Sequence, residues 1–246
     1  MEQEPNGNVR IAVLIDAENT SPQFAEALLD ELAKYGAATI KRAYGDFSSP
    51  YLAGWTRQLN ARAIRAIHQN AFTAGKNATD SALIIDAMDL LYADNVEAFA
   101  LVSSDSDFTG LALRLREAGK TVYGLGLQRT PQSLQNACDR FIALELLAAD
   151  ADSDEVDDAV AQNAGPTTTA SGESSINLQS LLTKAVNATA GEDGWVNLAY
   201  FGSHLRRMNA SFDPRTFGHA KLSSLVEAQR YLETVRRDGV LSVRVK

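Results

Sequence analysis

Apolar positions in the first 150 residues come in blocks, and the blocks change character. Residues 9–15 form a nearly continuous apolar run, which predicts a strand buried on both faces. Residues 21–35 place Phe24, Leu28, Leu29 and Leu32 at helical spacing, with Ser21 as N-cap, Pro22 at the first helical position and Gly36 past the end. Further strands are predicted over 38–44, 63–69, 98–102 and 121–126. Helices are predicted over 50–60, 78–92 and 107–118, the last closed by Gly119. Strands and helices in this alternation predict an α/β fold with a central parallel sheet covered on both faces.

The pattern stops at residue 148. Residues 148–175 are acidic, then rich in Thr, Ala, Ser and Gly, and hold no aromatic residue. Such a stretch buries too little apolar surface to offset chain entropy and predicts a flexible linker; an exposed helical extension over 152–162 is the alternative for its first half. Helical spacing resumes over 176–188, 198–208 and 217–225, followed by strands over 231–235 and 240–245. Three helices and a hairpin outline a small winged-helix domain. The predicted organisation is a domain at 8–147, a linker at 148–175 and a second domain at 176–246.

Charge adds to this division. The net charge is −8, but Lys+Arg against Asp+Glu is 13 to 18 over residues 1–149, 0 to 7 over 150–174 and 10 to 6 over 175–246. The local balances are −5, −7 and +4, so the second domain is basic and suits a polyanion. The sequence has no run of about 18 apolar residues to span a membrane. Its first residues show no secretory pattern, and the single Cys138 forms no internal disulfide, so a cytoplasmic location is expected.

The candidate chemistry lies where apolar runs end in aspartate: Asp16 in IAVLIDAEN, and Asp105 and Asp107 in ALVSSDSDF. Asp80 opens the helix over 78–92. The carboxyl edge of an open α/β sheet is where ligands bind. Carboxylates gathered there repel one another unless a divalent cation offsets them, which points to Mg²⁺ or Mn²⁺ and a phosphodiester substrate. Asn19 is placed to support Asp16. Ser103 and Ser104 would orient the carboxylates or contact phosphate, and Lys76 would bind phosphate. Asp46 reads as a turn residue, Asp86 as a buried, paired or supporting group, Asp89 as solvent-facing and His68 as a packed strand residue. In the second domain Arg206, Arg207, Arg215, His219 and Lys221 are candidates for a phosphate-binding face, while Trp195, Phe201, Phe212 and Phe217 read as core.

IDAEN (15–19), YGDF (44–47), the Gly-Lys stretch leading to Asp80 and SSDSDF (103–108) resemble the NYN domain, a branch of the PIN-like nuclease superfamily. The resemblance implies a Rossmann-like α/β/α fold and a metal-dependent endoribonuclease using Asp16, Asp80, Asp105 and Asp107, with no His or Lys base required. DGWVNLAYFGSHL and FDPRTFGHAKLSSL are similar to the LOTUS, or OST-HTH, winged-helix module, which implies RNA binding, including G-rich RNA. A homodimer is compatible with the PIN-like resemblance but not required by it. A non-catalytic RNA-binding adaptor that kept the fold is the competing expectation. Other phosphate chemistries fit poorly: there is no GxxxxGK[ST], and GLGLQR (124–129) lacks the third glycine of a dinucleotide site.

Overall fold

The computed structural model describes residues 9–69, 78–151, 178–191, 194–237 and 240–246. Lys76 and residues 152–175 of the expected linker lie outside them, as do residues 176–177 at the start of the expected second domain. The chain divides after Ala151 into two compact units.

In the first unit, six parallel strands form one sheet: β1 (Arg10–Asp16), β2 (Ala37–Gly45), β3 (Arg65–His68), β4 (Ala98–Val102), β5 (Thr121–Gly126) and β6 (Arg140–Ala143). Their order across the sheet is β3-β2-β1-β4-β5-β6. The chain winds outward one way from β1 to β3, then returns to β4 and winds the other way. The reversal leaves a crevice above the carboxyl ends of β1 and β4, the place where open α/β sheets bind ligands.

The apolar run of β1 splits its side chains between two cores. Ile11, Val13 and Ile15 join Phe24, Leu28, Leu32 and Trp55 on one face, where helices α1 (Ala25–Ala33), α2 (Ala53–Ala61) and α6 (Leu144–Ala151) pack. Ala12 and Leu14 join Leu83, Leu90, Phe108, Leu115 and Leu134 on the other, beneath α3 (Ala78–Ala93), α4 (Thr109–Glu117) and α5 (Gln132–Ala137). Each fully buried Leu or Ile contributes about 1.5–3 kcal/mol, so this doubly covered strand is a main anchor of the fold.

Several boundaries differ from the sequence expectation. Three expected helices open with a single 3-10 turn, Pro22–Phe24, Pro50–Leu52 and Ser106–Phe108, before the α-helix proper. Ser21 occupies the cap position before the first of these without a side-chain capping bond. Strand β6 and helix α5 escaped prediction, being four and six residues long, too short to show a period. Helix α6 runs to Ala151, four residues into the stretch expected to be linker. His68 is not packed: its side chain is exposed and faces Asp46 at 3.9 Å.

The second unit has helices α7 (Leu178–Thr189), α8 (Leu198–Met208) and α9 (Leu222–Glu227) with strands β7 (Val196–Asn197), β8 (Leu232–Arg237) and β9 (Val240–Val245). The strands form an antiparallel sheet in the order β7-β9-β8. Leu182, Val186, Phe201, Leu205, Leu225 and Val243 form its core. The helix expected over 217–225 is broken: a 3-10 turn ends at Phe217, Gly218 adopts φ of 77°, and α9 begins only at Leu222. Glycine is suited to that left-handed backbone, and there it stops the first turn. Phe201 and Phe212 are buried as expected and Phe217 packs on Phe212, whereas Trp195 is half-buried with the Arg244 guanidinium 4.6 Å above its ring.

Candidate metal centre

Asp16 ends β1 and is almost wholly buried. Its two oxygens are both engaged. Oδ1 accepts from the Asn19 backbone N–H at 3.2 Å, while Oδ2 accepts from Asn19 Nδ2 at 2.9 Å and from Ser103 Oγ at 2.8 Å. Burial raises its pKa, and the bonds from Asn19 and Ser103 act against that rise. The loop that turns Asn19 back is itself held: Trp55 Nε1 donates to the carbonyls of Ala17 and Thr20, each at 3.1 Å, and Thr20 Oγ1 donates to the Val102 carbonyl.

Ser103 follows β4, is buried, and serves two carboxylates: while it donates to Asp16, it accepts from the Asp105 N–H at 3.1 Å. It therefore positions the acidic groups from below. Ser104 Oγ accepts from the Leu127 N–H at 2.8 Å and ties this turn to the end of β5. Asp105 caps the following 3-10 turn, its Oδ1 accepting from the Asp107 N–H at 2.9 Å. That bond fixes Asp107 within the same turn, two residues on.

The first turn of α3 brings in Asp80 from across the crevice. One carboxylate oxygen each from Asp80, Asp105 and Asp107 lies within 4.8 Å of the others. Asp80 and Asp105 are half-buried and Asp107 is exposed. The Asp80 carboxyl is pushed up to about 6, first by burial and then by the charges of Asp16, Asp105, Asp107 and Glu18, all acting in the same direction. Asp16 adds its charge to this group, although both its oxygens are taken by protein donors and it stands outside the trio.

The trio fits a hard divalent cation. Its donors are all carboxylate oxygens, converging and partly desolvated, and the raised Asp80 pKa records charge that the protein leaves uncompensated. Glu18 is a rim residue that sequence reasoning passed over. Its Oε1 accepts from the Asp46 N–H and from Thr79 Oγ1, each at 3.2 Å, so it joins the end of β2 to the start of α3. Its place two residues after Asp16 was the available signal. Asp46 forms the turn expected of it, accepting from Ser48 N–H and Oγ. Asp86 is paired as expected, with Arg42 and the Tyr44 hydroxyl of β2.

The basic candidates of the second unit are not equivalent. Arg206, Arg207 and Lys221 are exposed. Arg215 is mostly covered, and its guanidinium grips buried Asp213 through Nε at 3.1 Å and Nη2 at 2.9 Å. That pair stiffens the turn ahead of α9 and holds the Arg215 guanidinium in place. Among the described residues, no helix is long and apolar enough to cross a membrane.

A six-stranded Rossmann-like parallel sheet with an acidic cluster at its switch point defines an α/β domain with a candidate metal site. Residues 10–145 match the NYN domain and residues 173–240 the OST-HTH/LOTUS domain, so the chain belongs to the NYN family and carries a C-terminal OST-HTH/LOTUS domain. An uncharacterized protein of Methanocaldococcus jannaschii is 28% identical over 146 residues, covering 56% of this chain and 56% of that protein's length. A crystal structure of a Vibrio parahaemolyticus protein of unknown function aligns with a TM-score of 0.47 at 20% identity, covering 58% of this chain and 96% of that one. An uncharacterized Nitrosomonas europaea protein aligns over 36% of this chain and 91% of its own, with a TM-score of 0.28 and 27% identity.

Proposed function

We propose that the chain is a metal-dependent endoribonuclease whose C-terminal domain binds RNA. The observation that carries this reading is the convergence of Asp80, Asp105 and Asp107 within 4.8 Å at the sheet's switch point, in a chain of the NYN family. Asp80, Asp105 and Asp107 would hold Mg²⁺ or Mn²⁺, with Asp16 supplying further negative charge from below. A divalent ion so held supplies Lewis acidity toward a phosphodiester and lowers the pKa of water.

The protein's own groups set the stage for that chemistry. Ser103 and Asn19 keep Asp16 oriented, and the Asp105 cap keeps Asp107 in place. Glu18 braces the rim by bridging the end of β2 and the start of α3. Asn19, Ser104 and Lys76 would border the substrate's path. The exposed Arg206, Arg207 and Lys221 would hold RNA on the second domain, with Arg215 shaping the turn beside them.

The test is cleavage of labelled RNAs, G-rich sequences included, with Mg²⁺, Mn²⁺ or EDTA, comparing wild type with Asp105→Asn. Metal-dependent cleavage lost by at least about a hundredfold in the variant, with RNA binding retained, is the expected outcome. RNA binding without cleavage under any metal would instead make the protein an adaptor.

A further inference from the structure

The carboxyl edge of the sheet is strongly acidic. The described loops that follow β1, β2 and β4 supply Glu18, Asp46, Asp105 and Asp107 and no lysine or arginine. The loop after β5, residues 127–131, carries Arg129, the one arginine or lysine in the described loops of this edge. It closes the GLGLQR segment, which fails as a dinucleotide site. Its loop is pinned at four points. Leu127 N–H donates to Ser104 Oγ at 2.8 Å, and Gln128 N–H donates to the Glu145 carboxylate oxygens at 3.1 and 3.0 Å. Thr130 N–H donates to the Leu127 carbonyl at 2.9 Å, and Gln135 Nε2 donates to the Thr130 carbonyl at 2.7 Å. A Cβ on Gly126 would meet the Ser103 carbonyl oxygen, Thr130 Oγ1 and Ser104 Oγ at 2.7, 2.8 and 3.0 Å. Thr130 follows Arg129 and Ser104 precedes Asp105, so the two segments meet at Gly126 beside the acidic cluster. Arg129 itself is exposed and forms no hydrogen bond or ion pair among the described residues.

Resting on the nuclease reading, we propose that Arg129 holds a phosphate of the RNA chain adjacent to the scissile one, on the β5 side of the crevice. A polyanion entering an acidic rim needs a cation outside the metal centre to offset repulsion. A guanidinium suits that task, because it pairs with phosphate through two parallel hydrogen bonds. Glu145, the carboxylate nearest along the loop's own contacts, is engaged by the Gln128 N–H and leaves the Arg129 charge unneutralised. The acidic trio comes from the loop after β4 and the first turn of α3, whereas Arg129 follows the neighbouring strand. Adjacent strands lie about 4.8 Å apart, so the arginine meets a different phosphate from the one at the trio. The pinned loop fixes where that phosphate rests, and little backbone order is left to be gained on binding. Arg129 thus sets which linkage lies over the carboxylates.

The experiment uses the full chain with Mn²⁺ and two ribotetranucleotides. One has ordinary phosphodiesters throughout; the other has uncharged methylphosphonates at both outer linkages, and cleavage of the central linkage is followed in each. Arg129→Ala and Arg129→Lys are compared with Arg114→Ala, which removes the same charge from the exposed last turn of α4, near the opposite edge of the sheet. On the fully charged strand Arg129→Ala should raise KM at least about tenfold with kcat near wild type, Arg129→Lys should recover part of the loss, and Arg114→Ala should match wild type. On the methylphosphonate strand wild type and Arg129→Ala should coincide. Cleavage by wild type with Arg129→Ala unchanged, equally impaired on both strands, or impaired in kcat rather than KM, overturns the assignment and leaves the nuclease reading standing. If wild type cleaves neither strand, phenylglyoxal labelling of arginines read by peptide mass spectrometry decides. Protection of Arg129 by the charged strand alone keeps it as an RNA phosphate contact and removes the nuclease reading, whereas equal labelling with both strands removes both.

Discussion

Asp80 is the residue most sensitive to how the site's charge is balanced. Its pKa is raised from 3.8 to about 6, so the folded chain binds more protons than the unfolded chain across that window. The stability this group contributes is present below 3.8 and lost as pH rises through about 6. In metal-free protein, Asp80→Asn should therefore raise Tm at neutral pH, on the order of 2–4 °C, and flatten its dependence on pH across the window. The same substitution should abolish the thermal shift caused by added Mn²⁺. Melting curves at several pH values, with and without Mn²⁺, check both. A second residue-scale prediction concerns Gly126. A Cβ there would lie 2.7 Å from the Ser103 carbonyl oxygen and 2.8 Å from Thr130 Oγ1. Gly126→Ala should cost about 1–3 kcal/mol in urea unfolding and weaken Mn²⁺ binding by shifting the turn that carries Ser103 and Asp105.

At the scale of elements, the clamp between β2 and α3 matters most. Arg42 and Tyr44 both donate to Asp86, and burial with the nearby Asp86 charge drives the Tyr44 pKa well up, so its hydroxyl remains a donor. Asp86 thereby ties α3 to the sheet, and Asp80 rides on the same helix. Asp86→Ala leaves the buried Tyr44 hydroxyl and the half-buried Arg42 guanidinium without their acceptor and should cost about 2–4 kcal/mol, against about 1 kcal/mol for Tyr44→Phe. Chemical denaturation of the two variants gives the comparison. These elements also show what the sequence could convey. Strands β4 and β5 ended where their apolar runs ended, and Asp105 and Asp107 were legible because they followed a run directly. The Arg215–Asp213 pair was not legible because the partners lie only two residues apart, where charge alone does not reveal a pair. The hold on Asp16 comes from Ser103, 87 residues away, a contact no local pattern records. Glu18 was overlooked for the same reason, its partners Asp46 and Thr79 being 28 and 61 residues distant.

For the whole molecule, the division after Ala151 separates the acidic site from the basic OST-HTH/LOTUS domain. If that domain gathers RNA for the first, a chain ended at Ala151 should keep metal-dependent cleavage of short oligonucleotides. On long RNAs it should lose at least about tenfold in kcat/KM through lower local concentration. Steady-state kinetics on short and long substrates distinguish this from a loss of folding. The two units also carry different optical labels, because the chain has two tryptophans and each unit holds one. Trp55 is sealed in the core with its indole N–H bound to the loop after Asp16, so its emission should be blue-shifted and should respond when that loop moves. Trp195 is partly open to water under a guanidinium and should emit further to the red. A single fluorescence spectrum, resolved by wavelength during a melt or a metal titration, would thus report on the NYN and OST-HTH/LOTUS units separately without any added dye.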